Sequence, residues 1–444
     1  MLKVKDPAVF NLIRQEEKRQ REVLEMIASE NYASKEVLEA LGTVLNNKYS
    51  EGYPHKRYYQ GNAVADEVEI LAQDRAKKLF GVPFVNVQAL SGSAMNLAVY
   101  VALLEPLKGK IMGLSLAFGG HLTHGQPQSV SGRFFKSCLY TLGKDGQLDF
   151  KAIEAQAIKE KPDIIVCGFT AYPRTIDFKK FAAIADKVGA LKKSPTYLLA
   201  DVSHIAGLIA AGVHPSPALY ADIITTTTHK TLRGPRGALI MVTNRGLKKD
   251  PDLGKKIDTA IIPGIQGGPH DNQTAAIAVA LKEASTPAFK KYAAQIVKNS
   301  QKLATELTKY GFNLVGGGSD NHLLLIDLRN KNVNGVVAAL ALEVANIVLN
   351  KNGVPNDTNP PFYPSGIRLG TPAITTRGMK EKEMIKIAKW MDEVVTAVKS
   401  YQLPKDKEAR REFMKKFKVE IVKNKKLLAI ATQVKTLTAK FPTP

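Results

Sequence analysis

Between about residue 80 and residue 245 the chain alternates short apolar runs with stretches of helical spacing, and this alternation restricts the fold more than any other feature. A strand covered on both faces reads as a continuous apolar run, and its parallel neighbour is reached only through a crossover helix. Strands are expected at 84–88, 111–116, 163–168, 197–201, 222–228 and 238–243. The class is therefore α/β, with a mostly parallel sheet wrapped by helices. Several polar residues fall just beyond the C-terminal ends of these runs, at the rim where open α/β sheets bind ligands.

The rest of the chain is organised around that core. Residues 1–80 hold charged helices, interrupted at 46–54 by a loop too aromatic to be a spacer. The core domain is expected over 81–285, and includes an extended loop at 263–269. Helical patterns run from about 271 to 309, so the boundary itself is helical. A smaller α+β domain over 286–444 follows, with strands near 323–327, 347–349 and 367–369 and a basic helical tail. No internal repeat or low-complexity tract is present.

The 44% hydrophobic and 23% charged content exclude bulk disorder. Two cysteines, Cys138 and Cys167, cannot make a disulfide framework, which fits a reducing cytoplasm. The N-terminus leads into a charged helix rather than an apolar signal, and no run of about 18 apolar residues follows, so neither export nor membrane spanning is expected. The net charge of +22 is unusual. Residues 401–444 carry twelve Lys/Arg against four Asp/Glu. Met414, Phe417 and Ile421 recur there at helical spacing, which favours the solvated face of a packed helix over a nucleic-acid arm.

Lys230 closes the run Thr225-Thr226-Thr227-Thr228-His229-Lys230, two residues past a strand. An amine partly desolvated at that rim can become the neutral nucleophile that imine formation requires. A surface lysine ending a strand is the plainer reading of Lys230 alone. Asp201 ends the 197–201 strand and begins an Asp-x-x-His pattern with His204, where a carboxylate could keep a heterocyclic nitrogen protonated; a helix-capping aspartate would read the same way. Ser91-Gly92-Ser93 opens an apolar helix and offers a phosphate cradle or an ordinary cap. Gly267 and Gly268 expose backbone donors, or form a flexible turn. His121, among Gly119, Gly120 and His124, could stack on an aromatic ring; without an acidic third ligand, no metal is expected. Arg368 provides a planar fork for a carboxylate, or a structural salt bridge. Glu51, Tyr49, Tyr58 and Tyr59 offer an acid/base group and phenols, or an aromatic packing cluster.

Together these segments resemble the serine hydroxymethyltransferases, pyridoxal-phosphate enzymes of the aspartate-aminotransferase fold type. The likeness lies in Ile27-Ala28-Ser29-Glu30-Asn31-Tyr32, Asn47 through Pro54, Lys56-Arg57-Tyr58-Tyr59, Gly119 through Gly125, Thr225 through Gly237, Gln266-Gly267-Gly268-Pro269 and Val354-Pro355-Asn356-Asp357, and spans roughly residues 8–400. It implies a seven-stranded sheet in the pyridoxal-phosphate-binding domain and a homodimer with shared active sites, residues 1–80 serving as arm and dimer contact; pairing of dimers into tetramers stays open. It assigns Lys230 the covalent link to the cofactor, Asp201 the pyridine nitrogen, His121 the ring stack, and Ser91, Gly92 and Ser93 the phosphate. Thr170, His204, Thr227 and His229 would contact cofactor or substrate. Arg368 would hold the amino-acid carboxylate, with Ser29 nearby. Tyr49, Tyr59, Gly267 and Gly268 would come from a partner subunit. Glu51 and Tyr58 would face the folate, with Asn352, Leu116, Gly120 and Leu122.

The implied reaction is reversible transfer of a one-carbon unit from L-serine to tetrahydrofolate, giving glycine and 5,10-methylenetetrahydrofolate. Alternatives on the same scaffold are a folate-independent aldolase and an α-methylserine hydroxymethyltransferase; a basic surface could add RNA binding. Departures from the family pattern are Leu90 and Phe118 in place of histidines, Ile265 for a glycine, Thr170 for a serine, an atypical Arg174, and a longer loop at 192–196. Leu90 and Phe118 are expected to remove polar groups from beside the cofactor.

Overall fold

The computed structural model describes residues 2–444. Its contacts separate into two compact units: Ala33–Ala294, and Gln295–Pro444 together with the segment ending at Tyr32.

The larger unit is built on seven strands: β1 (Phe84–Asn86), β2 (Lys110–Leu114), β3 (Lys136–Tyr140), β4 (Ile164–Cys167), β5 (Tyr197–Asp201), β6 (Ile223–Thr227) and β7 (Ala238–Val242). Their order across the sheet is β1-β7-β6-β5-β4-β2-β3. Strands β2 to β6 pair in parallel, while β7 runs antiparallel to both β6 and β1. Every residue of β4, β6 and β7 is buried, which is why these runs carry no charged residue and are mostly Ile, Val, Leu and Thr, with Cys167, Ala238 and Met241. The six strands expected from the sequence form, most with ends trimmed by one or two residues. The seventh, β3, has no apolar run because it is an edge: Lys136 and Ser137 face solvent and only Tyr140 is buried.

Helix Gly92–Leu103 buries Met95, Ala98, Val99 and Tyr100 in the core formed with Ile164, Leu199, Ile223 and Ile240. Burying an aliphatic side chain of this size contributes about 1.5–3 kcal/mol. Because β2, β4, β5 and β6 are parallel, the loops after Leu114, Cys167, Asp201 and Thr227 emerge at one rim. Their close approach is set by Gly168, where a Cβ would lie 2.1 Å from the Asp201 carbonyl oxygen.

The second unit contains a four-stranded antiparallel sheet in the order Asn313–Leu314, Leu323–Asp327, Gly366–Gly370, Asn350–Asn352. The first and last of these are short, polar edge strands without a readable pattern. Ile347–Val348 is a strand, but it pairs with Leu24–Glu25 in a separate ribbon. The helical stretch 271–309 is two helices, Asp271–Ala284 and Pro287–Lys309. In the basic tail, helix Lys407–Ile421 buries Met414, Phe417 and Ile421, so its charges occupy the outer face of a packed helix. Among the described residues, no helix is long and apolar enough to cross a membrane.

Arg377 staples this unit. Its guanidinium donates to the carbonyls of Gln20, Arg21, Val23, Thr438 and Phe441, at 2.6–3.2 Å. The residue is 5% exposed. Arg377→Ala removes these five charge-assisted hydrogen bonds, two of them buried, and is expected to destabilise the unit by about 3 kcal/mol, visible as a lower urea midpoint. Unchanged stability would show that the staple is dispensable.

Candidate active site

Asp201, the last residue of β5, sets the electrostatics of the rim. It is 8% exposed. Its Oδ2 accepts from His124 Nε2 and Asn96 Nδ2, both at 2.9 Å. Its Oδ1 accepts from the Ser203 amide at 3.1 Å and the Ser203 hydroxyl at 2.6 Å. Burial by itself would raise this carboxyl's pKa; the His124 hydrogen bond and the nearby His124, His121 and Lys230 outweigh it and hold the group far below the usual carboxylate range. Asp201 is therefore an anion at neutral pH.

The donors are themselves fixed. Asn96, fully buried in helix Gly92–Leu103, also donates to Thr123 Oγ1 at 2.9 Å and accepts from Thr225 Oγ1 at 2.9 Å. The Thr123 amide donates to His121 Nδ1 at 3.2 Å, with the Thr123 hydroxyl 2.8 Å from the same nitrogen. Burial, assisted by His124, lowers the His121 pKa to about 4. The ring is thus neutral, its proton on Nε2. Ser203 Oγ also accepts from the Thr227 amide at 3.0 Å, tying β5 to the strand that leads to Lys230.

A cavity at this rim is lined by Gly92, His121, Thr170, Asp201, His204, Thr227 and Lys230, and also by Met95, His124, Phe169 and Ser203. Gly92 is required there: a Cβ would lie 2.7 Å from Thr227 Cγ2. Ser91 and Ser93 flank it, exposed, at the helix N-terminus, with the Ser91 hydroxyl capping the helix. His229 is adjacent in sequence; its Nδ1 is buried without a hydrogen bond, and burial, then Lys230, lowers its pKa to about 3. Thr227 Oγ1 is likewise buried and unpartnered. An anionic carboxylate, an amine, a flat neutral imidazole and a bare hydroxyl around one cavity fit a cationic heteroaromatic ring carrying an electrophilic carbon and a phosphate.

Tyr49, Glu51, Tyr58, Tyr59, Gly267 and Gly268 form a second cluster of the same unit and do not line that cavity. Tyr59 stands edge-on to Tyr49 at 5.3 Å and to Tyr58 at 5.0 Å. Positions 267 and 268 face Glu51 and Tyr49, each 3.5 Å from where a Cβ would lie. The three tyrosines are 56%, 76% and 43% exposed in chain order. Glu51, by its charge, raises the Tyr49 phenol. Leu116 and Leu122 are exposed on the loop after β2, while Gly120 is buried so tightly that a Cβ would meet the Leu114 carbonyl at 1.9 Å.

Arg368, Asn352 and Ser29 belong to the second unit. Arg368 is 7% exposed on strand Gly366–Gly370, and its Nε donates to Asn350 Oδ1 at 3.0 Å. Desolvation lowers it to about 10. Asn352 pairs opposite Gly366, and Ser29 is half-buried just after Ala28, which packs against Gly370. The departures Leu90, Phe118, Ile265 and Arg174 are each half-buried, and none lines the Lys230 cavity.

Sequence reading missed Asn96 and Ser203 and left His124 without a role. An asparagine inside an otherwise apolar helix was the available signal for the first.

The profile of a family described as serine hydroxymethyltransferase matches residues 2–391. A serine hydroxymethyltransferase from Desulfotalea psychrophila is 56% identical over 394 residues, 89% of either chain. One from Acidothermus cellulolyticus is 52% identical over 440 residues, 99% of this chain and 96% of its own. One from Sorangium cellulosum is 54% identical over 394 residues, covering 88% and 90%.

The lowered His121 pKa has a testable consequence. Its folded value of about 4 lies below the ordinary 6.5, so the unfolded chain binds the extra proton first as pH falls. The stabilisation is complete above about 6.5 and is lost as pH drops toward 4. Urea unfolding of His121→Asn is expected to show a shallower loss than wild type across that window; parallel curves would refute the assignment.

Proposed function

The chain belongs to the serine hydroxymethyltransferase family, and on that premise we propose how its residues divide the work of moving a one-carbon unit reversibly from L-serine to tetrahydrofolate, with glycine and 5,10-methylenetetrahydrofolate as products. The cofactor is pyridoxal 5'-phosphate and tetrahydrofolate is the co-substrate. The observation that carries the assignment is the cavity in which Lys230 meets an Asp201 carboxylate kept ionised by four protein donors.

When bound, pyridoxal phosphate supplies an electron sink for the pair released as the Cα–Cβ bond of serine breaks. Lys230 would provide the amine that holds the cofactor covalently. Asp201 keeps a proton on the ring nitrogen, and His121 offers its neutral face to the ring. Ser91, Gly92 and Ser93 take the phosphate at the helix N-terminus, where backbone N–H groups favour an anion. Thr170, His204, Thr227 and His229 complete the contacts. Arg368 receives the amino-acid carboxylate, Ser29 beside it. Glu51 moves the proton of the serine hydroxyl, with Tyr58, Leu116, Gly120, Leu122 and Asn352 toward the folate.

The working form is a homodimer. Supporting this, Tyr49, Tyr58 and Tyr59 make an exposed aromatic cluster with Glu51, Gly267 and Gly268 that does not line its own chain's Lys230 cavity. Tyr49, Tyr59, Gly267 and Gly268 complete the site of a second copy. The free thiols Cys138 and Cys167 fit a cytoplasmic setting.

The purified protein is expected to show visible absorption from bound pyridoxal phosphate and to cleave serine with strong dependence on tetrahydrofolate. Lys230→Ala should keep the circular dichroism of the fold, lose that absorption band and fall by more than about a thousandfold in kcat. A colourless wild type that gains no band with added cofactor would overturn the reading; serine cleavage indifferent to folate would move it to an aldolase.

A further inference from the structure

Residues 52–57 form a tight hairpin in which Gly52–Tyr53 pairs with Lys56–Arg57. Gly52 has φ +97°, and a Cβ there would meet the Lys56 carbonyl oxygen at 2.4 Å, so the turn tolerates no side chain. The hairpin places the Arg57 guanidinium inside the protein, with its side chain 3% exposed. From there Nη1 donates to the carbonyls of Ser50 at 2.9 Å and Gly52 at 2.8 Å. These are the two peptide oxygens on either side of Glu51. The carbonyl of Glu51 itself accepts from the Tyr58 amide at 2.9 Å. Three consecutive carbonyls are thus held from the 57–58 strand end.

The other edge of the guanidinium is anchored to a helix. Nε donates to Asp66 Oδ1 at 2.8 Å and Nη2 to Glu69 Oε2 at 2.7 Å, both on helix Ala63–Phe80. Gln88 Nε2 bonds both Glu69 and the Gly52 carbonyl, and the Ser50 hydroxyl bonds Asp271 Oδ1 at 2.7 Å. A loop next to the exposed Tyr49 and Tyr58 therefore has a backbone locked to buried, charged partners. Only a planar fork with several donors can serve both carbonyls and both carboxylates together; an ammonium cannot.

We propose that Arg57 is a positioning residue for the one-carbon transfer: by clamping the carbonyls on both sides of Glu51 to helix Ala63–Phe80, it sets the direction of the Glu51 carboxylate and of the adjoining Tyr58 and Tyr59. The inference rests on Glu51 carrying the proton, as assigned above. Arg57 touches no reacting atom and acts through Glu51.

The test is a double-mutant cycle on purified holoenzyme, with Arg57→Lys and Glu51→Gln alone and together. Arg57→Lys keeps a cation for Asp66 and Glu69 but loses the two-carbonyl clamp. It should retain the cofactor's visible absorption and a serine KM within about twofold of wild type, while kcat falls roughly 10- to 100-fold, the loss that a misplacement of about 1 Å produces. In the Glu51→Gln background the same change should cost less than about threefold, because no carboxylate is left to direct. Equal losses in both backgrounds, or a wild-type kcat in Arg57→Lys, would overturn the clamp and leave Glu51's role standing. A near wild-type kcat in Glu51→Gln would remove Glu51's role and the clamp with it. Should Arg57→Lys fail to fold, Glu69→Gln loosens Nη2 while leaving both carbonyl bonds available, and the same non-additivity with Glu51→Gln decides the matter.

Discussion

Asp201 lies where solvent cannot stabilise its charge, and four protein donors from three elements take the solvent's place. An isolated carboxylate so buried would take up a proton; desolvation of an ion costs several kcal/mol and is offset only when each lone pair is satisfied. The rest of the rim follows from meeting that demand. Asn96 must sit inside an apolar helix, His124 must turn inward, and Ser203 must fold back onto its own strand end. Each then holds a neighbour: Asn96 fixes Thr123, Thr123 fixes the tautomer of His121, and Ser203 fixes the Thr227 amide three residues before Lys230. One buried charge thereby organises the groups around the amine.

Arg57 applies the same logic with the sign reversed. A cation is buried, two carboxylates of a helix compensate it, and its remaining donors go to backbone carbonyls. At Arg368 burial is just as deep, 7% exposed, and desolvation dominates, lowering the guanidinium toward 10 without discharging it at neutral pH. An arginine kept charged in a dry setting binds a carboxylate more strongly than one in water, because competing hydration has already been given up. Its Nε donates to Asn350 Oδ1, which fixes the orientation of the guanidinium on its strand.

Lys230 and Asp201 were legible in the sequence because a strand end is marked by where an apolar run stops, and both fall at such stops. The sheet was legible for the same reason, except β3, whose exposed Lys136 and Ser137 leave no run to detect. Short polar strands such as Asn350–Asn352 exist through pairing with Gly366–Gly370, a tertiary cause that local pattern cannot carry. His124, Asn96 and Ser203 come from separate stretches and acquire meaning only when the parallel strands bring their ends together. Leu90 and Phe118, next in sequence to the phosphate cradle and close to His121, are half-buried and do not line the Lys230 cavity, and neither do Ser91 and Ser93 of the cradle itself.

The two clusters of the larger unit differ in how their order is achieved. Around Lys230, order comes from burial: side chains interlock through hydrogen bonds inside a core that already excludes water. Around Glu51, the tyrosines are largely exposed, and order comes from the backbone, which Arg57 grips from beneath. A flexible loop would lose conformational entropy each time it closed on a ligand; a clamped loop has lost it on folding. The buried arginine thus gives the backbone on either side of the half-buried Glu51 the fixed geometry of a core segment, and ties that geometry to helix Ala63–Phe80.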